Sequence, residues 1–172
     1  MCLWKVLALS APVFQHTVKA PALFAGIGVH TGAYTRVAVR PAAADTGVVF
    51  VRTDITDCDN RVPVSPEAVC KTQLGTVITN AAGVTVSTIE HLMAALVMSG
   101  IDNAVVELDG PEMPIMDGSS LPFLRVLDRA GRRQQGAEPG GGGNAAASSR
   151  RRAATSRSSR LWKWSTGTSA PH

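Results

Sequence analysis

STIEHLMAALVMSG, residues 87–100, is the stretch whose reading decides the fold. Ile89, Leu92, Met93 and Leu96 recur at the i, i+3, i+4, i+7 spacing of one buried helical face. Ser87 is a good N-cap and Glu90 stands three residues on, the Ser-x-x-Glu pattern of a capping box, so a helix is predicted from Ser87. Gly100 supplies its stop. A strand pattern, Ala104 to Leu108, follows at once.

Working outward, Thr17 to Phe24 reads as a strand and Gly26 to Gly32 as a Gly-rich turn. Tyr34 to Arg40 alternates as a half-buried strand should, and Val48 to Arg52 is a β-branched run. Asp54 to Pro63 is polar and reads as a loop, with Ser65 to Val69 as a short helical turn. Leu74 to Ile78 and Val84 to Val86 read as strands around the turn Asn80 to Gly83. Asp109 to Ser120 is a loop. A second helix, Leu121 to Ala130, has Pro122 in its first turn and Gly131 after it. The mixture predicts an α+β fold, a small sheet packed on helices over residues 14–131, with no internal repeat.

Composition is that of a globular chain, 45% apolar and 17% charged. The net charge of +4 is unevenly placed. Residues 1–131 carry nine Lys and Arg against twelve Asp and Glu, a net of −3; residues 132–172 carry eight against one, a net of +7. Residues 132–172 therefore read as a basic, low-complexity, disordered tail. Apart from Trp162 and Trp164, its Arg run, 150–152, has no aromatic platform or folded groove beside it for specific nucleic-acid binding; a basic-tail binding protein is the class this leaves open. Three cysteines without CxxC spacing argue against a disulfide framework and fit a reducing compartment. No run reaches the length of a membrane span. Residues 1–13 are read as an N-terminal extension, their apolar stretch being broken by Ser10 and Pro12.

Glu90 and His91 are the leading chemical pair. Both fall in the first turn of the predicted helix, where a cleft can receive two adjacent side chains only if the helix end points into it. A metal ligand must be a neutral imidazole, the form a helix N-terminus favours. A carboxylate beside a bound metal can take a proton from metal-bound water. The residues alone leave another reading open: Glu90 closes the capping box and His91 is a surface histidine. Gly26 to Gly32 misses the dinucleotide spacing, so His30 is either a site residue on a turn or an exposed one. Asp117 either orders a site or belongs to the turn that starts the second helix.

Six blocks in the same order resemble the UDP-3-O-acyl-N-acetylglucosamine deacetylases of bacterial lipid A synthesis. They are HTVKAP (16–21), FAGIGVHTG (24–32), RPAAADTGVVFVRTD (40–54), STIEHLMAAL (87–96), GIDN (100–103) and PEMPIMDGSSLPF (111–123). The resemblance implies a cytoplasmic zinc enzyme of two similar α+β domains with the site between them, residues 14–131 being the first. It implies Zn2+ held by two histidines and an aspartate. His91 matches the ligand from the first domain, and Glu90 matches the general base. Water so activated would attack the 2-acetamido carbonyl of UDP-3-O-acyl-N-acetylglucosamine. His30 and Asp117 match signature loops near the site.

Two departures stand out. Gly75 occupies a position where many members carry Cys. The second domain's H-K-x-x-D motif, acid histidine and acyl-chain tunnel are also missing, the only histidine after His91 being His172. A truncated, inactive fragment is therefore the alternative to an active deacetylase. WKWSTGTSAPH (162–172) can be encoded so that a frame moved by one reads EVVDGDKRA, like the phrase that opens the family's second domain. Residues after about Gly136 are thus expected to come from a shifted frame.

Overall fold

The computed structural model describes residues 14–136. The expected extension 1–13 and the tail beyond residue 136, with its shifted frame, lie outside the described residues. In chain order the elements are β1 (His16–Val18), β2 (Ala22–Ile27), β3 (Tyr34–Pro41), β4 (Val48–Arg52), β5 (Arg61–Pro63), β6 (Val69–Lys71), β7 (Val77–Thr79), β8 (Thr85–Ser87), α1 (Glu90–Met98), β9 (Ala104–Leu108), α2 (Leu121–Ala130) and β10 (Arg132–Gln134).

A five-stranded mixed sheet in the order β2-β3-β9-β4-β5 forms the centre. Only β4 and β9 run parallel, with Phe50 beside Val106 and Arg52 beside Leu108. Alternation decides which face is buried. Val37 and Val39 point inward beside Leu108 and Val106, while Arg36 and Arg40 flanking them are exposed. The two helices pack on one another and α2 packs on β2. Phe24 meets Phe123 edge-to-face at 5.2 Å between ring centroids, joining sheet to helix. Phe50, Ile78, Leu92, Leu96, Met113 and Phe123 belong to one continuous core. The α+β fold expected from the sequence is the fold observed.

Several local expectations are corrected. The predicted strand Thr17 to Phe24 is two strands: Lys19 and Ala20 turn their amides to the carbonyls of Gly131 and Ala130, and Pro21 has no N–H to give. The strand expected to start at Leu74 starts later, at Val77, because Leu74 and Gly75 take φ of +63° and +153°. The loop that precedes β7 therefore runs from Thr72 to Thr76. The expected loop Asp54 to Pro63 ends in β5, and the short turn expected over Ser65 to Val69 forms, closed by Ala68 N–H to the Ser65 carbonyl, with Val69 already opening β6.

The capping box does not form. Ser87 ends β8, its amide and hydroxyl both bonding the Pro111 carbonyl, and α1 starts at Glu90 with no side-chain cap. The expected tail boundary also moves. β10 pairs with β1, and Gln135 bonds Asn103 and the Ala42 carbonyl, so residues 132–135 belong to the fold.

The helix α1 is apolar almost all round, EHLMAALVM. Leu92, Ala95 and Leu96 are buried, while Val97 and Met98 are 52% and 70% exposed. Among the described residues no helix is long and apolar enough to cross a membrane.

Candidate functional site

Three loops meet at the start of α1. The first follows β2, where Gly28 N–H bonds the Ala33 carbonyl and Gly32 N–H bonds the Gly28 carbonyl. This tight turn carries His30 and Thr31 at its tip. The second is the loop Thr72 to Thr76, and the third runs from β9 to α2 through Glu112.

His30 Nε2 donates to the Leu74 carbonyl at 2.8 Å. A carbonyl only accepts, so this bond fixes the proton on Nε2. Glu90 Oε2 accepts from the Thr76 amide at 3.0 Å. The loop is thus held on one side by the imidazole and on the other by the carboxylate. Between them lies Gly75. A methyl group on its α-carbon would stand 3.5 Å from Glu90 Oε1, 3.6 Å from His30 Nε2 and 3.6 Å from Thr88 Oγ1. The three polar atoms therefore border one small space. A cavity of about 230 Å³ opens here, lined by His30, Leu74, Gly75 and Thr88 among others.

The capping reading of Glu90 fails on geometry. Its carboxylate does not close a cap on Ser87; it binds the Thr76 amide with one oxygen and turns the other to the Gly75 niche. His91 follows it in the first turn of α1, half-buried, and among the described residues its ring has no hydrogen-bond partner. Asp117 is engaged elsewhere. Its Oδ1 accepts from the amide and hydroxyl of Ser119 at 2.9 and 2.7 Å, shaping the turn into α2. The Ser119 hydroxyl, then its amide, hold the Asp117 carboxyl below the usual carboxylate range. His30 and Glu90 are brought together, His91 stands beside Glu90, and Asp117 serves its own turn.

The residue that sequence reasoning missed is Glu112. It is fully buried, yet its carboxylate accepts from the His30 amide at 3.0 Å, the Thr31 amide at 2.8 Å, the Thr31 hydroxyl at 2.7 Å and the Thr88 hydroxyl at 3.0 Å. Burial pushes its pKa up most strongly of any single influence. The Thr31 hydroxyl, the two amides and the Thr88 hydroxyl together outweigh it, and the net shift is downward. Thr31, Thr76 and Thr88 were equally silent in the sequence, because each acts through hydrogen bonds to residues well separated along the chain.

Zinc is the metal the resemblance implies. Catalytic zinc takes three protein ligands and keeps a position open. Among the described residues no group of three or more His, Cys, Asp or Glu side chains could hold a metal ion. Residues 14–136 offer one unengaged imidazole, His91, with the Glu90 carboxylate beside it. This donor pair fits part of a zinc site, and the other ligands would have to come from outside these residues.

A family model described as UDP-3-O-acyl N-acetylglycosamine deacetylase matches residues 15–141. The UDP-3-O-acyl-N-acetylglucosamine deacetylase of Phenylobacterium zucineum (strain HLK1) is 86% identical over 125 residues, covering 73% of this chain and 43% of the relative. Those of Shewanella sp. (strain W3-18-1) and Shewanella oneidensis are each 45% identical over 125 residues, covering 73% of this chain and 40% of the relative. The chain spans about two fifths of the length of the curated relatives it matches.

Proposed function

The chain belongs to the UDP-3-O-acyl N-acetylglycosamine deacetylase family, and we propose that its described residues form the half of a zinc deacetylase that carries the general base. The substrate in this reading is UDP-3-O-acyl-N-acetylglucosamine, the products are acetate and the free 2-amine, and the setting is lipid A synthesis in the cytoplasm. The observation that carries it is Glu90: one carboxylate oxygen is anchored on the Thr76 amide and the other borders, with His30 Nε2, the niche beside Gly75, a residue that lines the cavity.

In this reading His91 supplies one zinc ligand. Bound zinc would lower the pKa of a coordinated water and polarise the amide carbonyl. Glu90, fixed by Thr76, is oriented to take a proton, and a positioned base of this kind is worth about 10²–10⁴-fold in rate. His30, its Nε2–H given to the Leu74 carbonyl, holds the loop at the same rim. Asp117 acts on the shape of the turn that leads to α2. The remaining ligands belong to a companion segment, which would cover the exposed apolar side of α1 at Val97 and Met98.

The test compares two proteins. One is the 172-residue polypeptide; the other joins residues 1–136 to the unmatched remainder of the Phenylobacterium zucineum relative. Acetate release from the UDP-sugar is expected from the joined protein and not from the shorter one. A folded joined protein that releases no acetate refutes the deacetylase reading. Equal turnover by the 172 residues alone refutes the assignment of ligands to a companion segment.

A further inference from the structure

We propose that Glu112 is a positioning residue: its buried carboxylate ties the His30 loop to the Thr88 turn and so fixes His30 opposite Glu90 across Gly75. This rests on the reading of Glu90 as the reacting base.

The two oxygens divide the work. Oε2 takes the amide and hydroxyl of Thr31, and Oε1 takes the His30 amide and the Thr88 hydroxyl. Each oxygen faces one backbone amide, which can only donate, so only a group that accepts at both ends satisfies them. An amide side chain does not, because its NH2 end would face donors. The carboxylate also leaves no slack. A methyl group on Gly28 would lie 2.7 Å from the Thr31 hydroxyl and within overlap of Glu112 Oε2. Thr88 is a β-branched residue at φ +60°, a conformation that persists only where its surroundings impose it. It stands two residues before Glu90. The Met113 amide on the Ser87 carbonyl and the Ser87 amide on the Pro111 carbonyl bind the same strip of chain on either side. One side chain thereby sets both the tip that bears His30 and the entry into α1.

The first experiment is NMR on the 172-residue chain, unsubstituted and with E112Q, Thr88→Val or Thr88→Ser. The unsubstituted chain and Thr88→Ser should show one His30 tautomer, Nε2–H, and protected His30 and Thr31 amides. E112Q and Thr88→Val should mix the tautomers and speed exchange at these two amides by about tenfold or more, the loss of one to two hydrogen bonds' worth of protection. The Phe50 and Val106 amides should keep their protection. Unchanged tautomer and exchange at His30 in E112Q overturn the proposal. If E112Q fails to fold, the same result in Thr88→Val does so. These readouts need no turnover, so they separate this proposal from the deacetylase reading. In an active joined protein, E112Q should lower kcat about tenfold with KM held within about twofold, the signature of lost orientation. An unaltered kcat also overturns it.

Discussion

The Thr31 amide donates to Glu112 Oε2 over 2.8 Å, joining the tip of one loop to a carboxylate 81 residues further along the chain. The Thr31 hydroxyl reaches the same oxygen, and Gly28 backs onto it with no room for a side chain. Gly28→Ala should therefore break this cradle. Leaving a buried carboxylate short of donors costs about 1–3 kcal/mol. Urea unfolding should show a midpoint lowered by that free energy divided by the slope, with the slope itself unchanged.

Glu112 also sets a pH dependence. Its native pKa lies below the ordinary carboxylate value of 4.5, so the folded state binds fewer protons than the unfolded state in acid. The stability it contributes is present in full above that value and is lost as pH falls through the depressed native one. Asp54 and Asp109, lowered chiefly by bonds from the Arg52 side chain and the Arg36 amide, act in the same direction. Thermal unfolding between pH 7 and pH 3 should show a falling Tm below about pH 5. The fall should be shallower in E112Q than in the unsubstituted chain.

Gly75 separates space from conformation. A methyl group there would meet Glu90, His30 and Thr88 only at ordinary contact distance, but the φ of +153° is one that side chains rarely adopt. Gly75→Ala should cost about 1–3 kcal/mol through the backbone. It should also release the His30 contact with Leu74, read as faster exchange of the ring Nε2–H.

Asn103 holds the edge of the fold. Its Oδ1 accepts from the Gly47 amide, and its Nδ2 donates to Gln15 and Gln135. Asn103→Ala leaves the buried Gly47 amide unpaired and should cost about 1–3 kcal/mol in urea unfolding. Limited proteolysis should then cut between residues 130 and 136 earlier than in the unsubstituted chain, since β10 loses that anchor.

Elements with a strong repeating pattern are legible in the sequence. β3, β9 and α2 fall within a residue of their expected bounds because their apolar positions recur at the period of the element they form, and β4 does so because it is an unbroken β-branched and aromatic run. β6 and β10 are not legible. VCK and RRQ are exposed at every position, and only backbone pairing makes them strands. The capping box misleads because Ser87 satisfies itself on Pro111, a partner 24 residues away. At the site, the Glu90–His91 pair and His30 are visible as residues that could do chemistry. Glu112 is invisible, because a lone acid between two prolines gives no local sign of the four donors that gather round it.

The most direct test of the Glu90 assignment is single-turnover acetate release by the joined protein carrying Glu90→Gln. The rate should fall about 10²–10⁴-fold while the UDP-sugar still binds with unchanged affinity. A rate equal to that of the unsubstituted joined protein would contradict the role of Glu90 as base.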